Sequence, residues 1–199
     1  MKNKLLYLGH ASLRIITCEG KVIYIDPYDG DNYDLNADLV LITHSHYDHN
    51  NLSKIKNNDY KLITNVESLE GGKHNNFDLG YVKIESTEAG YNKFHDVKEC
   101  VGYLLTFSDG IKVYIAGDTY FTPQMDELGI KNIDYAFFPC DGVYTMIVDE
   151  AIKAAHKVNA KHSIPYHMVP GGHFSEEIAD KFNVKNKLII RPNEEIDLE

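Results

Sequence analysis

The chain has 199 residues, 43% of them apolar and 25% charged; this balance excludes disordered and fibrous classes, and no apolar run approaches the roughly 18 residues of a membrane span. Thirty acidic against twenty basic residues leave a formal charge of −10, which excludes a general basic surface for nucleic-acid backbones. The three cysteines, Cys18, Cys100 and Cys140, are odd in number and form no Cys-x-x-Cys pattern, so a disulfide framework is not expected.

In chain order, the pattern predicts strands over Leu5–Leu8, Ser12–Cys18 and Lys21–Ile25, the last two joined as a hairpin at Glu19-Gly20. Leu5–Leu8 is too short for a signal-peptide core, so a cytoplasmic protein is expected. A polar loop over Tyr28–Ala37 precedes the strand Asp38–Thr43, whose near-continuous apolar run predicts burial on both faces. Next come a short helix at Leu52–Asn57, a strand at Lys61–Thr64, a loop over Glu67–Phe77, a strand at Tyr81–Ser86 and a polar loop over Ala89–Lys98. Val101–Phe107 and Ile111–Ala116 form a second hairpin across Ser108-Asp109-Gly110. Tyr135–Pro139 and His162–Tyr166 are strands, and Val148, Ile152, Ala155 and Val158 repeat at helical spacing between them. The tail predicts a helix over Glu176–Phe182 and a last strand over Lys187–Arg191. The order implies a layered α/β or α+β fold, and the length implies one domain over 1–199.

Four ligand-type residues lie within six positions, in His44-Ser45-His46-Tyr47-Asp48-His49 at the exit of the buried strand. His44 and His46, two apart on extended backbone, point to one side. Asp48 and His49 follow where the chain must turn and offer a second pair. Imidazole and carboxylate together suit zinc, iron or manganese. A His-rich solvent loop is the bland alternative, and the buried strand directly before the run argues against it. Two cations ~3.5–4 Å apart can share and acidify a water, giving a bridging hydroxide near neutral pH.

The run His44-x-His46-x-Asp48-His49 resembles the signature of the metallo-β-lactamase superfamily. Leu8-Gly9-His10-Ala11-Ser12 with Ile25-Asp26-Pro27 resembles the opening of its small branch of metal-dependent hydrolases, which includes the ascorbate-6-phosphate lactonases. Ile115-Ala116-Gly117-Asp118-Thr119 and Ile164-Pro165-Tyr166-His167 are similar to two later strands of the family that end in metal ligands. The resemblance implies a four-layer αβ/βα sandwich of two mixed β-sheets flanked by helices. It implies that His44, His46 and a third histidine hold one divalent metal, that Asp48, His49 and His167 hold a second, and that Asp118 bridges both. His95 is favoured over His74 as the third histidine, because it lies shortly before the strand leading towards Asp118. Zinc is the first expectation, with Mn2+ and Fe2+ as alternatives.

The other candidates are single residues. His10 is expected near the site, as a substrate contact, a support for a ligand or a structural histidine. Asp26 and Thr119 are candidates to orient ligand imidazoles. Tyr91, Asn92, Tyr144 and Met146 are candidates to line the cleft. His173 lies in a Gly-flanked loop and is a candidate substrate contact. Where the branch has a short Gly-Thr-like turn after its last histidine, this chain has Met168-Val169-Pro170-Gly171-Gly172. Cys140 is expected to be structural, and His156 and His162 carry no pattern. The expected activity is hydrolysis at a binuclear centre, with Asp48 and Asp118 as its catalytic carboxylates. The expected substrate is a small anionic ester, lactone or phosphodiester, with no nucleic-acid or membrane partner and an oligomeric state that is not readable. The rivals are an iron-dependent oxidoreductase on the same fold and a non-catalytic metal-binding module.

Overall fold

A computed structural model describes residues 1–199. The strands β1 (Asn3–Gly9), β2 (Ser12–Ile16), β3 (Val22–Ile25), β4 (Leu39–Leu41) and β5 (Lys61–Ile63) form one sheet, closed at the β1 edge by β12 (Glu195–Leu198) in the order β12-β1-β2-β3-β4-β5. The second sheet runs β11-β10-β9-β8-β7-β6, from β6 (Asn76–Asp78), β7 (Val82–Glu88), β8 (Val101–Phe107), β9 (Lys112–Ile115), β10 (Tyr135–Pro139) and β11 (His162–Tyr166). Both sheets are mixed: β3-β4-β5 and β9-β10-β11 pair in parallel, and the other pairs are antiparallel.

Alternation along the strands explains the layers. Leu5, Tyr7, Ile23, Ile25, Leu39 and Leu41 of the first sheet face Tyr103, Leu105, Ile115, Phe137, Ile164 and Tyr166 of the second, in one apolar layer. The intervening residues of the second sheet, including Leu104, Tyr114, Ala136 and Phe138, pack under α2 (Gln124–Leu128), α3 (Val148–Val158) and α4 (Glu176–Lys181). On the outside of the first sheet, Leu6, Leu8, Tyr24 and Val40 are covered by Tyr33, Ala37 and Ile55. That outer layer is a long loop with one 3-10 turn at Leu52–Lys54 rather than a stack of helices. The strands read as continuous apolar runs because both of their faces are covered.

Two expectations are corrected in detail, and one element, α2, carries no expectation. Lys187–Arg191 is not a strand: it makes a single bridge, Lys187 to Ser163, before Pro192 ends any ladder, and the edge strand is β12. Glu67–Phe77 is not all loop, since Thr64 and Glu67 form a capping box over α1 (Asn65–Ser68) and β6 begins at Asn76. The five-residue α2 behind Pro123 is too short to show a helical period.

Pairing directions place the site. β1, β3 and β4 run one way in the first sheet, and β7, β9, β10 and β11 run one way in the second. Their carboxyl ends share one edge of the sandwich, where ligands collect in open α/β sheets. The hydrogen bonds Val101 N–H to Thr43 O (3.0 Å) and His167 N–H to His10 O (2.9 Å) tie the sheets together there.

Candidate metal centre

From the first sheet, Asp26 leaves β3 with φ 46° and is fully buried. Its carboxylate accepts from Thr43 N–H (2.8 Å) and from the Thr43 hydroxyl (2.7 Å), and lies 2.9 Å from His49 Nδ1. A carboxylate only accepts, so His49 carries a proton on Nδ1 and turns Nε2 inward. The Thr43 hydroxyl spends its proton on Asp26 and so accepts from His44 Nδ1 at 3.1 Å, which turns His44 Nε2 inward too. His46 lies beside it, with ring centroids 4.5 Å apart.

From the second sheet, Asp118 follows β9 after Gly117, whose φ of 68° and close approach to Val101 O leave no room for a side chain. Asp118 Oδ2 is 3.4 Å from His95 Nε2, 3.5 Å from His49 Nε2 and 3.2 Å from His167 Nε2. His167 leaves β11 with φ 45°, and its Nδ1 lies 3.2 Å from Asp141. His95 is presented by the loop after β7, where the Asn92 side chain accepts from Phe94 N–H and His95 N–H. His10, Asp26 and His167 are all non-glycine residues in the left-handed region, a conformation that costs of order 1–3 kcal/mol each and clusters at functional sites.

Donor atoms converge in three groups, each within 4.8 Å: His44, His46 and His95; His10, Asp48, His49 and His167; and His44, His49 and Asp118. The Nε2 atoms of His44, His49, His95 and His167 and Oδ1 of Asp118 are buried with no hydrogen-bond partner. Such a set of orphaned polar atoms, aimed at one another, fits a bound cation. The electrostatics agree. Burial and the neighbouring His49 charge hold His44 well below the usual imidazole range, and burial holds His95 down. Burial also opposes charge on His49 and His167, but Asp118 with Asp26 outweighs it at His49, and Asp118 with Asp141 raises His167 to about 9. Burial pushes the Asp118 and Asp48 carboxyls up, yet His167 and His49 hold Asp118 far down, and His10 and His49 hold Asp48 far down. Protons on two imidazoles thus offset carboxylates that a cation would also offset.

The structure therefore brings together His44, His46, Asp48, His49, His95, Asp118 and His167. His74 lies elsewhere, in a polar hollow beside Glu85 and Gln124. His10 is fully buried and sits behind Asp48, with Nε2 3.3 Å from Asp48 Oδ2 and Nδ1 donating to Gly172 O at 2.9 Å. Thr119 makes no hydrogen bond to an imidazole; its hydroxyl shares its one proton between Tyr120 O and Gly90 O and pins the loop that bears His95. His173 pairs with Asp29 and does not line the cleft. Met146 is core, Cys140 is buried with its Sγ on Tyr166 O, and Tyr91 and Asn92 line an adjoining groove. Sequence reasoning missed Asp141, whose signal is its place just past β10, the parallel neighbour of β11.

The centre opens into a cleft of about 500 Å³ with ten lining residues. Five belong to the cluster, and the others are Tyr47, Phe94, Tyr144, Pro170 and Gly171. Asn92 donates to Tyr144 O (3.0 Å) and the Phe94 and Tyr144 rings meet edge-on at 4.9 Å, so the two wall loops brace each other.

Comparison with known proteins places this geometry. Residues 4–167 match the family model described as a beta-lactamase superfamily domain. A UPF0173 metal-dependent hydrolase of Anoxybacillus flavithermus is 32% identical over 193 residues, covering 82% of this chain and 85% of that protein. The crystal structure of a candidate metal-dependent hydrolase from Parabacteroides distasonis superposes with a TM-score of 0.76 at 32% identity, covering 94% of this chain and 91% of the other. The metallo hydrolase Igni18 of Ignicoccus hospitalis shares the fold with a TM-score of 0.80 at 24% identity, over 100% and 99% of the two chains. The chain belongs to the metallo-β-lactamase superfamily and is one of its metal-dependent hydrolases.

Proposed function

We propose that the centre is binuclear and hydrolyses a small-molecule ester, lactone or phosphodiester, with zinc as the resident metal. The observation that carries this is the position of Asp118, whose Oδ2 lies within 3.5 Å of the inward Nε2 atoms of His49, His95 and His167, while its Oδ1 is buried without a partner. In this reading His44, His46 and His95 hold one cation, Asp48, His49 and His167 hold the other, and Asp118 serves both. Two such cations, when bound, would acidify a water and polarise the oxygen under attack. The chain supplies the rest. Asp26 and Asp141 fix the imidazoles, and His10 holds Asp48 at the cleft wall, where its carboxylate takes a proton from the attacking water and returns it to the leaving group.

The test is metal analysis of protein purified without added metal, followed by turnover of chromogenic esters, lactones and phosphodiesters by the metal-loaded protein beside Asp118→Ala. Two zinc ions per chain and loss of at least about 100-fold in kcat/KM for Asp118→Ala are expected, on the scale of removing a group that stabilises charge at the reacting centre. Stoichiometric iron with oxygen-dependent turnover, or equal rates for the two proteins, would overturn the reading.

A further inference from the structure

The walls of the cleft and its centre differ in chemistry. The five lining residues outside the cluster are all uncharged, with no lysine or arginine among them. Seven of the chain's ten exposed large apolar side chains are Tyr47 or lie on the loops 91–97 and 143–147, and three of them, Tyr47, Phe94 and Tyr144, line the cleft. Tyr47 is 75% exposed, Phe94 38% and Tyr144 41%. Lys93 is on the same loop, but its ammonium stacks 4.7 Å over the Phe94 ring and lines the adjoining groove rather than the cleft. Pro170 and Gly171, from the segment that departs from the family's branch, add a further uncharged wall.

Recognition of a phosphate or carboxylate tail needs guanidinium, ammonium or well-placed N–H donors to replace lost water. None of the wall side chains offers a cation to replace the water that an anionic tail would lose between Tyr47, Phe94 and Tyr144. An apolar acyl or aryl group faces the opposite balance, because it removes exposed aromatic surface from water. We infer that the cleft selects an uncharged carboxylic ester or lactone whose apolar acyl or aryl group seats between Tyr47, Phe94 and Tyr144, in place of the anionic substrate expected from the family's lactonase branch. This rests on the hydrolase reading for its chemistry: the water oxygen bonds to the carbonyl carbon, the acyl carbon–alkoxy oxygen bond breaks, and the alcohol leaves with the proton relayed by Asp48, so that ester and water give acid and alcohol.

The experiment compares matched pairs on the metal-loaded protein. In the kinetic arm, p-nitrophenyl hexanoate is set against the mono-p-nitrophenyl ester of adipate, which carries a carboxylate at the end of the chain, and against bis(p-nitrophenyl) phosphate. A kcat/KM at least about 10-fold higher for the neutral ester is expected, in the range of a small change in an apolar pocket. Phe94→Ala and Tyr144→Ala are expected to lower that ratio through the hexanoate alone, and Phe94→Lys to raise turnover of the adipate ester. In the binding arm, calorimetry compares N-hexylacetamide with 5-acetamidopentane-1-sulfonate, and the neutral amide is expected to bind at least about 10-fold tighter. Equal or better use of the anionic ester or the phosphodiester, or equal binding of the sulfonate, would overturn the inference. Neutral-selective binding with no turnover of any ester would instead overturn the hydrolase reading and leave the selectivity of the walls intact.

Discussion

Asp26 does not line the cleft, yet it fixes two members of the donor cluster behind it, His49 and His44. Its two oxygens take Thr43 N–H, the Thr43 hydroxyl and His49 Nδ1, and through Thr43 they set the ring of His44. Exchanging one oxygen for an NH2 group faces a donor with a donor. Asp26→Asn is therefore expected to weaken metal binding by about 10–100-fold, as other losses behind a metal ligand do, read by competition with a chromophoric chelator; unchanged affinity would show that His49 is held by other means. A paired measurement separates the two candidates for the third histidine, of which the sequence favours His95. His95→Ala is expected to lower the metal content of the purified protein, and His74→Ala to leave it at the wild-type value, because His74 lies in a different hollow. Asp141 was not legible in advance, since nothing in Pro139-Cys140-Asp141-Gly142 tells that the parallel register of β10 with β11 will bring it to His167.

At the scale of elements, legibility followed length and coverage. α3 and β11 begin and end where the pattern puts them, because eleven residues give a full helical period and a buried strand bounded by polar residues gives sharp ends. α1, α2 and β6 are three to five residues long and rest on tertiary packing that no local period records. The edge strand β12 was hidden by its polar Glu-x-Asp outer face, while Leu188-Ile189-Ile190 looked more like a strand than it is. The end of α3 gives a clean test. Asn159 is exposed and caps the helix at φ 50°, ψ 43° with its N–H on Ala155 O. Asn159→Gly is expected to be neutral or slightly stabilising, and Asn159→Val to cost about 1–2 kcal/mol from the left-handed backbone alone, measured by denaturant midpoint. A Val variant as stable as wild type would mean that the cap readjusts.

At the scale of the molecule, one apolar layer draws on every long strand of both sheets, so we propose that residues 1–199 unfold as one cooperative unit. The centre is built on that layer's edge, and ions bound only by the native state add to its stability. With free metal at about 100 times its dissociation constant the gain is about 2.7 kcal/mol. Removing the ions with a chelator is then expected to lower the melting temperature by about 5–10 °C for a chain of this size, in a single calorimetric transition both before and after. An unchanged melting temperature would argue that the native state holds no metal under those conditions. The superfamily was readable because its donors sit at strand ends in a fixed order; the preference of the cleft was not, because Phe94, Tyr144 and Pro170 become neighbours only when three loops from the same edge converge.

That the donors come from both sheets has a mechanical consequence. His44, His46, Asp48 and His49 hang from the first sheet, and His95, Asp118 and His167 hang from the second. Metal held between them would act as a rivet across the seam of the sandwich, at one end only. The far end, where Glu19 meets Ser108 across the two hairpin turns, has no such fastening. Amide hydrogen exchange is expected to show this asymmetry. Chelation should speed exchange at Thr43, His49, Val101 and His167, whose amides bond across or beside the seam, and should leave the hairpin amides Gly20 and Gly110 as they were. Acceleration spread evenly over both ends would mean that the ions stiffen the whole body rather than clasp one edge of it.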